Sequence, residues 1–389
     1  MRAVVFVGGR ADLGPLMPVI GQLGETPDCE LLVATAVAMQ PEALRAEVAA
    51  AGHTRLPEVT PVGPVIGSTD PVSLAAAGAA ISVGMAGTLR AGGDVLVVLG
   101  DRWELPWVVM PAVLGGVPVV HLHGGEVTEG AIDERVRHAV SKLADQHCVA
   151  SADAAARLRQ MGEEPARIHV TGAPGLDRYV GQTAASNAEI EALLGAPLRR
   201  PLALFTYHPV TTAAPEVSAQ HAAEALRATA RAAGSVIATH PGPDHGREQI
   251  LAALTETAAT HASVTIVPSL GVLYPACVAA CDVVVGNSSS GIIEAATFEV
   301  PAVDIGIRQG GRLRGDNVLQ ADDGFSSVSA TLHRALDPSF RASLRGMTNP
   351  YGDGSAARRV AEVVVAAAGA PTPKRFEDIR AGTDAAPCP

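Results

Sequence analysis

Acidic, histidine and arginine side chains are concentrated in one stretch of this 389-residue chain, from His123 to His138. The stretch reads His-Gly-Gly-Glu-Val-Thr-Glu-Gly-Ala-Ile-Asp-Glu-Arg-Val-Arg-His and follows the apolar run Val117–Leu122. A strand that ends in a Gly-Gly turn and leads into a helix is where an open α/β sheet binds its ligand. Carboxylates and imidazoles at that place are suited to general acid/base chemistry on a sugar or a nucleotide.

A second charged pair, Asp101-Arg102, follows the neighbouring apolar run 94–99. Asp101 would then meet Glu126 and Asp133 at adjacent strand ends. Each carboxylate alone has a plain structural explanation, as an ion pair with Arg102 or as an acidic first turn of a helix. Three carboxylates that converge on one crevice favour an acid/base site.

Polar residues also follow strands elsewhere in the chain. Gly8-Gly9-Arg10 offers a glycine pair and a cation for a phosphate, or else an ordinary strand-to-helix turn. His208 and His240 each precede a proline after a predicted strand; His208 is suited to donate to a diphosphate, although most histidines at strand ends are structural.

The serine-rich turn Gly286-Asn-Ser-Ser-Ser-Gly291 is the most informative motif of the second half. Backbone N–H groups and three hydroxyls at the start of the predicted helix Ile292–Phe298 favour an anion site over a simple serine cap. Arg308 follows the next strand and adds a cation.

These residues must be positioned by strands that alternate with helices. This pattern predicts parallel, doubly wound α/β sheets. The first series of predicted strands is Ala3–Val7, Cys29–Ala34, Val95–Leu99, Val117–Leu122, Gln146–Ala150 and Ile168–Thr171, and the second is Leu202–Phe205, Ser235–Ala238, Val264–Val267, Val283–Val285 and Ala302–Ile305. We expect Rossmann-like domains over 1–180 and 181–352, a helix over 353–370 that returns to the first domain, and a loose tail over 371–389.

Composition excludes several classes of protein. The net charge of −11, from 29 basic and 40 acidic residues, argues against a nucleic-acid groove. We find no apolar run near the ~20 residues of a membrane helix and no signal-peptide pattern, which predicts a cytoplasmic protein. Of the five cysteines, Cys277 and Cys281 share a helix face, where burial is a better explanation than metal binding; no metal site is predicted.

Taken together, the motifs resemble those of the hydrolysing UDP-N-acetylglucosamine 2-epimerases, which release UDP and N-acetylmannosamine. The resemblance runs from residue 1 to about residue 365 and rests on Gly100-Asp-Arg102, the stretch from His123 to Glu134, Arg137-His138, Gly172-Ala-Pro-Gly-Leu-Asp177, the serine-rich turn and Gly306-Ile-Arg-Gln309. It implies two Rossmann-like domains facing a central cleft, the GT-B architecture, with UDP in the cleft. The expected partners are a nucleotide-sugar substrate and further copies of the chain, as a homodimer or a dimer of dimers, without nucleic acid, membrane, metal or redox cofactor.

The resemblance also implies roles for individual residues. The catalytic set would be Asp101, Glu126, Asp133 and His208. The nucleotide-binding set would be Arg10, His240, Gly286, Asn287, Ser288, Ser289, Ser290, Glu294 and Arg308. The sugar pocket would be formed by Leu13, Ala38, Arg102 and His123.

Two of these positions depart from the family pattern. Leu13 stands where the family usually has tyrosine, and Ala38 stands where it usually has histidine. The nucleotide half is therefore predicted to be intact and the sugar half altered, which favours another sugar or base, or altered chemistry at C2. A GT-B glycosyltransferase and a non-catalytic nucleotide-sugar-binding protein remain as alternatives.

Overall fold

The computed structural model describes residues 1–51, 55, 57–68, 70–128, 132–210, 212–242, 246–370 and 372–378, and of Arg10 and Ala50 only the backbone. The chain divides into two compact units. Of the described residues, unit 1 contains those of 1–126, 132–177 and 351–378, and unit 2 contains those of 127–128 and 178–350.

In the described part of unit 1, seven parallel strands form one sheet in the order β3-β2-β1-β4-β5-β6-β7. The strands are β1 (Arg2–Val7), β2 (Glu30–Val37), β3 (Glu58–Val65), β4 (Val95–Leu99), β5 (Val119–Leu122), β6 (Gln146–Val149) and β7 (Ile168–Val170). The order of the strands reverses between β1 and β4, which is the place where a doubly wound sheet binds its ligand.

Helices cover both faces of this sheet. They are α1 (Arg10–Glu25), α2 (Pro41–Ala50), α3 (Pro71–Arg90), α4 (Leu105–Gly115), α5 (Ile132–Leu143) and α6 (Ala152–Gln160), with short 3-10 helices at Pro165–Arg167 and Pro174–Arg178. Two buried hydrophobic clusters form, one on each side of the sheet. Strands buried on both faces explain why the sequence shows continuous apolar runs rather than alternation.

Unit 2 repeats this plan over its described residues, with the strand order β10-β9-β8-β11-β12-β13. The strands are β8 (Leu202–Thr206), β9 (Ser235–Thr239), β10 (Val264–Val267), β11 (Val283–Gly286), β12 (Ala302–Ile305) and β13 (Val318–Ala321). The helices are α7 (Asn187–Leu194), α8 (Pro215–Ala232), α9 (Arg247–Ala259), α10 (Tyr274–Ala280), α11 (Ser290–Ile293), α12 (Phe325–Ala335) and α13 (Pro338–Ser343), with 3-10 helices at Gly271–Leu273 and Ala295–Phe298. Its order reverses between β8 and β11.

The last helix, α14 (Ala356–Ala367), packs in unit 1 against α1 and the central strands. Beyond it the tail is not loose throughout, contrary to expectation, because residues 372–378 are bonded to unit 1. Arg167 Nη2, for example, donates to the Pro373 carbonyl at 3.0 Å, and Lys374 Nζ lies 2.8 Å from Glu163 Oε2.

Two strands were not predicted, and both lie at a sheet edge. β3 contains Pro61 and Pro64, which weaken a strand pattern and are tolerated at an edge. β13 is only four residues long, and one of them, Gln320, is polar. Helix α1 begins at Arg10, directly after the glycine pair, because Gly8 and Gly9 donate their N–H groups to Asp12 Oδ2 at 2.9 and 2.8 Å.

Helix α3 differs from the expectation that no segment is long and apolar enough to cross a membrane. By length and composition alone it meets that criterion. Within unit 1 it packs against β3 and α4 and buries Ile81, Met85 and Leu89. Only 28% of its apolar window is buried, so packing accounts for one side of the helix, and Val72 and Val83 are exposed.

Candidate active site

Two of the predicted carboxylates follow neighbouring strands of unit 1, Asp101 after β4 and Glu126 after β5. The strands hold each other in register, because His121 of β5 bonds the Gly100 carbonyl through Nε2 at 2.7 Å. Burial lowers the pKa of His121 to about 3, so its ring is neutral and Nε2–H is the donor. The loop that carries Asp101 is therefore anchored one residue before the carboxylate.

Arg137 of helix α5 joins the two carboxylate-bearing loops. Its guanidinium, with a side chain only 2% exposed, forms an ion pair with Asp101 through Nη2. Nη1 donates to the Glu126 carbonyl at 2.9 Å and to Glu134 Oε2 at 3.2 Å. Glu134 Oε1 in turn lies 3.0 Å from His138 Nε2, one helical turn away. We call Asp101, Glu126, Asp133 and Arg137 the carboxylate cluster.

Asp133 occupies the first turn of α5 and is half-buried. Its negative charge also acts on Arg102. Burial lowers the pKa of Arg102, but the carboxylates of Glu104, Asp12 and Asp133 outweigh this effect, so the pKa is raised. Arg102 is thus surrounded by acidic groups, with Nε 2.5 Å from Glu104 Oε1. Asp101 pairs with Arg137, so the alternative explanation of Asp101 as an ion pair with Arg102 does not hold.

His123 is held in an uncommon conformation beside Glu126. Its φ is +61°, in the left-handed region that non-glycine residues rarely occupy. Nδ1 lies 2.5 Å from Glu126 Oε1, while the buried Nε2 finds no hydrogen-bond partner among the described residues. Backbone strain and an unsatisfied buried nitrogen are typical of residues that serve a ligand rather than the fold.

The other residues predicted for this region, Leu13, Ala38 and Arg10, lie in different environments. Leu13 is 8% exposed and belongs to the core beneath α1, so it is a packing residue. Ala38 is exposed at the end of β2, where its N–H donates to the Gly8 carbonyl at 2.9 Å. The side chain of Arg10 lies outside the described residues; its backbone begins α1.

In unit 2, Asn287 locks the two loops that flank the switch point. It is fully buried, and its amide accepts from His208 N–H at 2.6 Å and donates to the His208 carbonyl at 2.9 Å. Gly286, before it, has φ +136°, and a Cβ there would lie 1.8 Å from the Thr206 carbonyl oxygen. Only glycine permits this close approach of β8 and β11.

The ring of His208 is fixed as a neutral donor. Gly242 N–H donates to Nδ1 at 2.9 Å, which leaves the proton on Nε2. Burial, helped by the nearby charge of Arg308, lowers the pKa of His208 to about 4. The predicted role of His208 as a hydrogen-bond donor to a diphosphate is therefore chemically available at neutral pH.

Arg308 and Gln309 support this turn by donating to the Asn287 carbonyl at 3.2 and 2.9 Å. Ser288 and Ser289 are half-buried, whereas Ser290 is buried and accepts from the Tyr274 hydroxyl at 2.7 Å. We call residues 286–290 with His208 and Arg308 the Asn287 turn.

The helix after this turn is shorter than predicted. Instead of a helix over Ile292–Phe298, α11 ends at Ile293, Glu294 follows it half-buried, and a 3-10 turn begins at Ala295. A four-residue helix contributes little dipole, so side chains and single N–H groups dominate any anion binding here. His240 directly follows β9, and its N–H donates to the Val267 carbonyl at 3.1 Å.

Several supporting residues were missed from the sequence. Arg137 and Gln309 were recognised only as parts of motifs and not assigned a site role, and Asp12 and Glu104 were not identified as site residues. Each of them is buried. The sequence does show charged and amide residues close to glycine turns. It does not show which of them are buried, because burial cannot be inferred from residue type alone. Among the described residues, no group of three or more His, Cys, Asp or Glu could hold a metal ion.

Two doubly wound α/β units, one with a carboxylate cluster and one with an amide-locked turn at its switch point, place the chain in the doubly wound α/β class, whose ligands bind at such switch points. A family model described as UDP-N-acetylglucosamine 2-epimerase matches residues 67–365. The chain belongs to this family, as its motifs predicted. It is accordingly an enzyme of an epimerase family.

Individual relatives agree with this assignment. The chain is 36% identical to the UDP-N,N'-diacetylbacillosamine 2-epimerase (hydrolyzing) of Legionella pneumophila over 268 residues, 68% of this chain and 69% of the relative. It is 32% identical to the UDP-N-acetylglucosamine 2-epimerase of Neisseria meningitidis over 331 residues, 82% and 84% of the two chains. The crystal structure of UDP-GlcNAc 2-epimerase from Neisseria meningitidis bound to UDP-GlcNAc matches the fold with a TM-score of 0.76 at 15% identity, covering 94% of this chain and 100% of that chain. The predicted fold class is confirmed.

Proposed function

We propose that the protein is a hydrolysing nucleotide-sugar 2-epimerase, which releases UDP and a free sugar inverted at C2. The observation that carries the proposal is the carboxylate cluster, in which Arg137 binds Asp101 and the backbone of Glu126 while Asp133 lies on the same helix. Inversion at C2 requires a base on one face of the sugar and an acid on the other. A cluster of separate carboxylates supplies both.

The Asn287 turn supports the proposal from the side of the leaving group. A diphosphate leaves more readily when fixed donors stabilise the charge that develops on it. The neutral Nε2–H of His208, the guanidinium of Arg308 and the half-buried hydroxyls of Ser288 and Ser289 are such donors. Arg10 is expected to add a further cation to these donors.

The proposed reaction has two steps. In the first, one carboxylate takes the proton from C2, the C2–H electron pair forms a C1=C2 double bond, and the C1–O bond breaks with its electrons leaving on the diphosphate. In the second, a carboxylic acid returns a proton to the opposite face of C2, and water adds at C1 and gives its own proton to a carboxylate. The sum is nucleotide sugar plus water giving UDP plus the epimerised sugar. We assign these transfers to Asp101, Glu126 and Asp133.

We further propose a substrate other than UDP-N-acetylglucosamine. Leu13 is a core residue and Ala38 exposes only a methyl group, so neither supplies the hydrogen bond of the family's usual tyrosine and histidine. An unpaired buried polar group of the ligand costs about 1–3 kcal/mol. The relative from Legionella, named for UDP-N,N'-diacetylbacillosamine, makes that nucleotide sugar the first alternative to test.

The decisive experiment is incubation of the purified protein with a panel of nucleotide sugars in deuterated water, followed by NMR. We expect release of UDP without metal or acceptor, resistance to EDTA, and one deuterium at C2 of an inverted free sugar. An inverted sugar still attached to UDP would identify a non-hydrolysing epimerase, and absence of deuterium would identify a plain hydrolase. An obligatory acceptor would identify a glycosyltransferase, and the highest kcat/KM with UDP-N-acetylglucosamine would refute the altered specificity.

A further inference from the structure

Both lysines of this chain bind the same buried carboxylate. The sequence has 29 basic residues, of which Lys142 and Lys374 are the only lysines. Their Nζ atoms lie 2.5 and 2.8 Å from the two oxygens of Glu163, whose side chain is fully buried. His147 completes the group at 2.9 Å from Oε2. A buried charge is tolerated only when it is paired in this way.

Lys374 belongs to a segment that we call the C-terminal strap, residues 372–378. The backbone of the strap is bonded to the loop that precedes β7. The bonds are Arg167 Nη2 to the Pro373 carbonyl at 3.0 Å, Arg375 N–H to Glu164 Oε1 at 2.9 Å and Glu377 N–H to the Gly162 carbonyl at 3.0 Å. In addition, Lys142 Nζ lies 5.0 Å from the centre of the Phe376 ring, so the strap covers the Glu163 group.

Lys374 also closes the C-terminal end of helix α5. Its Nζ donates to the Ala144 carbonyl at 2.7 Å and to the Ser141 carbonyl at 3.4 Å. These carbonyls lack helical partners, and a cation there satisfies them and complements the helix dipole. The opposite end of the same helix carries Asp133, and its middle carries Arg137. One ammonium group therefore connects the strap, the Glu163 group and the helix of the carboxylate cluster.

We infer that Lys374 is a positioning residue, which through the C-terminal strap holds α5 where Asp133 and Arg137 serve the carboxylate cluster. The inference rests on the proposed function for its effect on turnover. A 12-residue helix is a rod about 18 Å long, so a shift at one end displaces the other. Misplacement of reacting groups by about 1 Å costs on the order of 100-fold in rate.

The test compares Lys374→Met, Lys374→Arg and the matched control Arg358→Met in the full chain. Arg358 is an exposed cation of α14 that pairs with Glu362 at 2.6 Å. The first measurement is hydrogen exchange over residues 132–140, which needs no substrate. We expect exchange to rise roughly 10-fold or more in Lys374→Met, and to stay near the wild-type rate in Lys374→Arg and in the control.

Turnover is the second measurement. We expect kcat of Lys374→Met to fall by roughly 10- to 100-fold, while KM and the Kd for UDP stay within about 2-fold, because UDP is assigned to unit 2. Lys374→Arg should recover most of kcat. If Lys374 only stabilised the fold, Lys374→Met would lower the melting temperature without lowering kcat selectively while KM stays unchanged.

Unchanged exchange over residues 132–140, or unchanged kcat despite faster exchange, overturns the inference. If the wild-type chain releases UDP from no nucleotide sugar, the proposed function fails, and the exchange comparison by itself upholds or overturns the anchoring of α5. If Lys374→Met does not fold, Phe376→Ala is used in its place. The accessibility of Lys374 is then measured by its rate of acetylation with an amine-reactive ester, followed by mass spectrometry. Faster acetylation without faster exchange in α5 also overturns the inference.

Discussion

The guanidinium of Arg137 binds the carboxylate of Asp101 and the backbone carbonyl of Glu126 at the same time. These residues follow neighbouring strands, so one buried cation sets the position of two loops. Its planar fork can bridge two acceptors in fixed directions, whereas a lysine presents a point charge. The geometry of the carboxylate cluster thus depends on the shape of this side chain as well as its charge.

The first prediction tests that dependence. Arg137→Lys keeps the charge and loses the fork, so Asp101 and Glu126 should lose their common support. We expect kcat to fall by roughly 100-fold, the scale of a misplaced catalytic group. Steady-state release of UDP is the measurement, and Arg135→Lys, at an exposed position of the same helix, is the control. Equal kcat in the two variants would contradict the prediction.

The second prediction concerns the carboxylates themselves. Asp101→Asn, Glu126→Gln and Asp133→Asn keep the shape of each side chain and remove its charge. Each should lower turnover by roughly 100-fold or more, as expected for a lost acid or base. Calorimetry should find the Kd for UDP nearly unchanged in all three. Near-normal turnover in every variant would dismiss the cluster as the site of chemistry.

The third prediction concerns binding of the diphosphate. Arg308→Ala removes a cation and one donor to the Asn287 carbonyl. A charged hydrogen bond is worth about 1.5–3 kcal/mol, so the affinity for UDP should fall by roughly 10- to 150-fold. Arg314→Ala is the control, because it removes a nearby arginine that is already paired with Asp304 at 2.8 Å. Calorimetry that finds the same affinity in Arg308→Ala and wild type would move the diphosphate elsewhere.

The fourth prediction concerns the proton on His208. Its pKa of about 4 results from burial first and from Arg308 second. Histidine NMR should therefore find a neutral ring with the proton on Nε2 at pH 7. Arg308→Ala should raise this pKa, although burial keeps it below that of an exposed histidine. A cationic His208 ring at pH 7 would be inconsistent with the hydrogen bond from Gly242.

The fifth prediction concerns stability in acid. The pKa of His121 is about 3 in the folded protein and 6.5 in an unfolded chain. The unfolded chain therefore binds an extra proton between these values, and stability falls as the pH is lowered through this window. At pH 5 the loss from this residue is about 2 kcal/mol.

Urea unfolding at pH 7.5 and pH 5 measures this loss, with fluorescence of Trp103 and Trp107, both in unit 1, as the signal. His121→Gln should make the acid loss smaller. The exposed His333→Gln in unit 2 should not change it. An acid loss that is the same in His121→Gln and in wild type would rule out His121 as its source.

Much of this arrangement was predictable because parallel strands buried on both faces read as continuous apolar runs. The strand ends that carry Asp101, Glu126, His208 and Asn287 follow from those runs. The edge strands β3 and β13 were missed because an edge tolerates proline and polar residues. What the sequence could not supply is the partner of each charged group. Arg102, the neighbour of Asp101, was the only ion-pair partner that the sequence suggested for it, and only the fold brings Arg137 to Asp101 from 36 residues away.

The same limit applies to the end of the chain. A tail rich in proline and charge resembles a loose segment, yet Lys374 is bound because Glu163 lies buried where the tail passes. Local composition carries no information about a buried carboxylate about 200 residues earlier in the sequence. Leu13 illustrates the converse, since a position that suggested a sugar contact belongs to the core.

The paired hydrogen bonds between Asn287 and the backbone of His208 have a consequence for how a ligand is received. Both loops of the Asn287 turn are already fixed to each other, so binding need not order them. For the proposed diphosphate, the entropic cost of association would then be small, and the rate of capture would be set by diffusion and by long-range attraction to Arg308. On a chain of net charge −11, the cation of Arg308 would guide an anion to one place, and salt would slow its arrival.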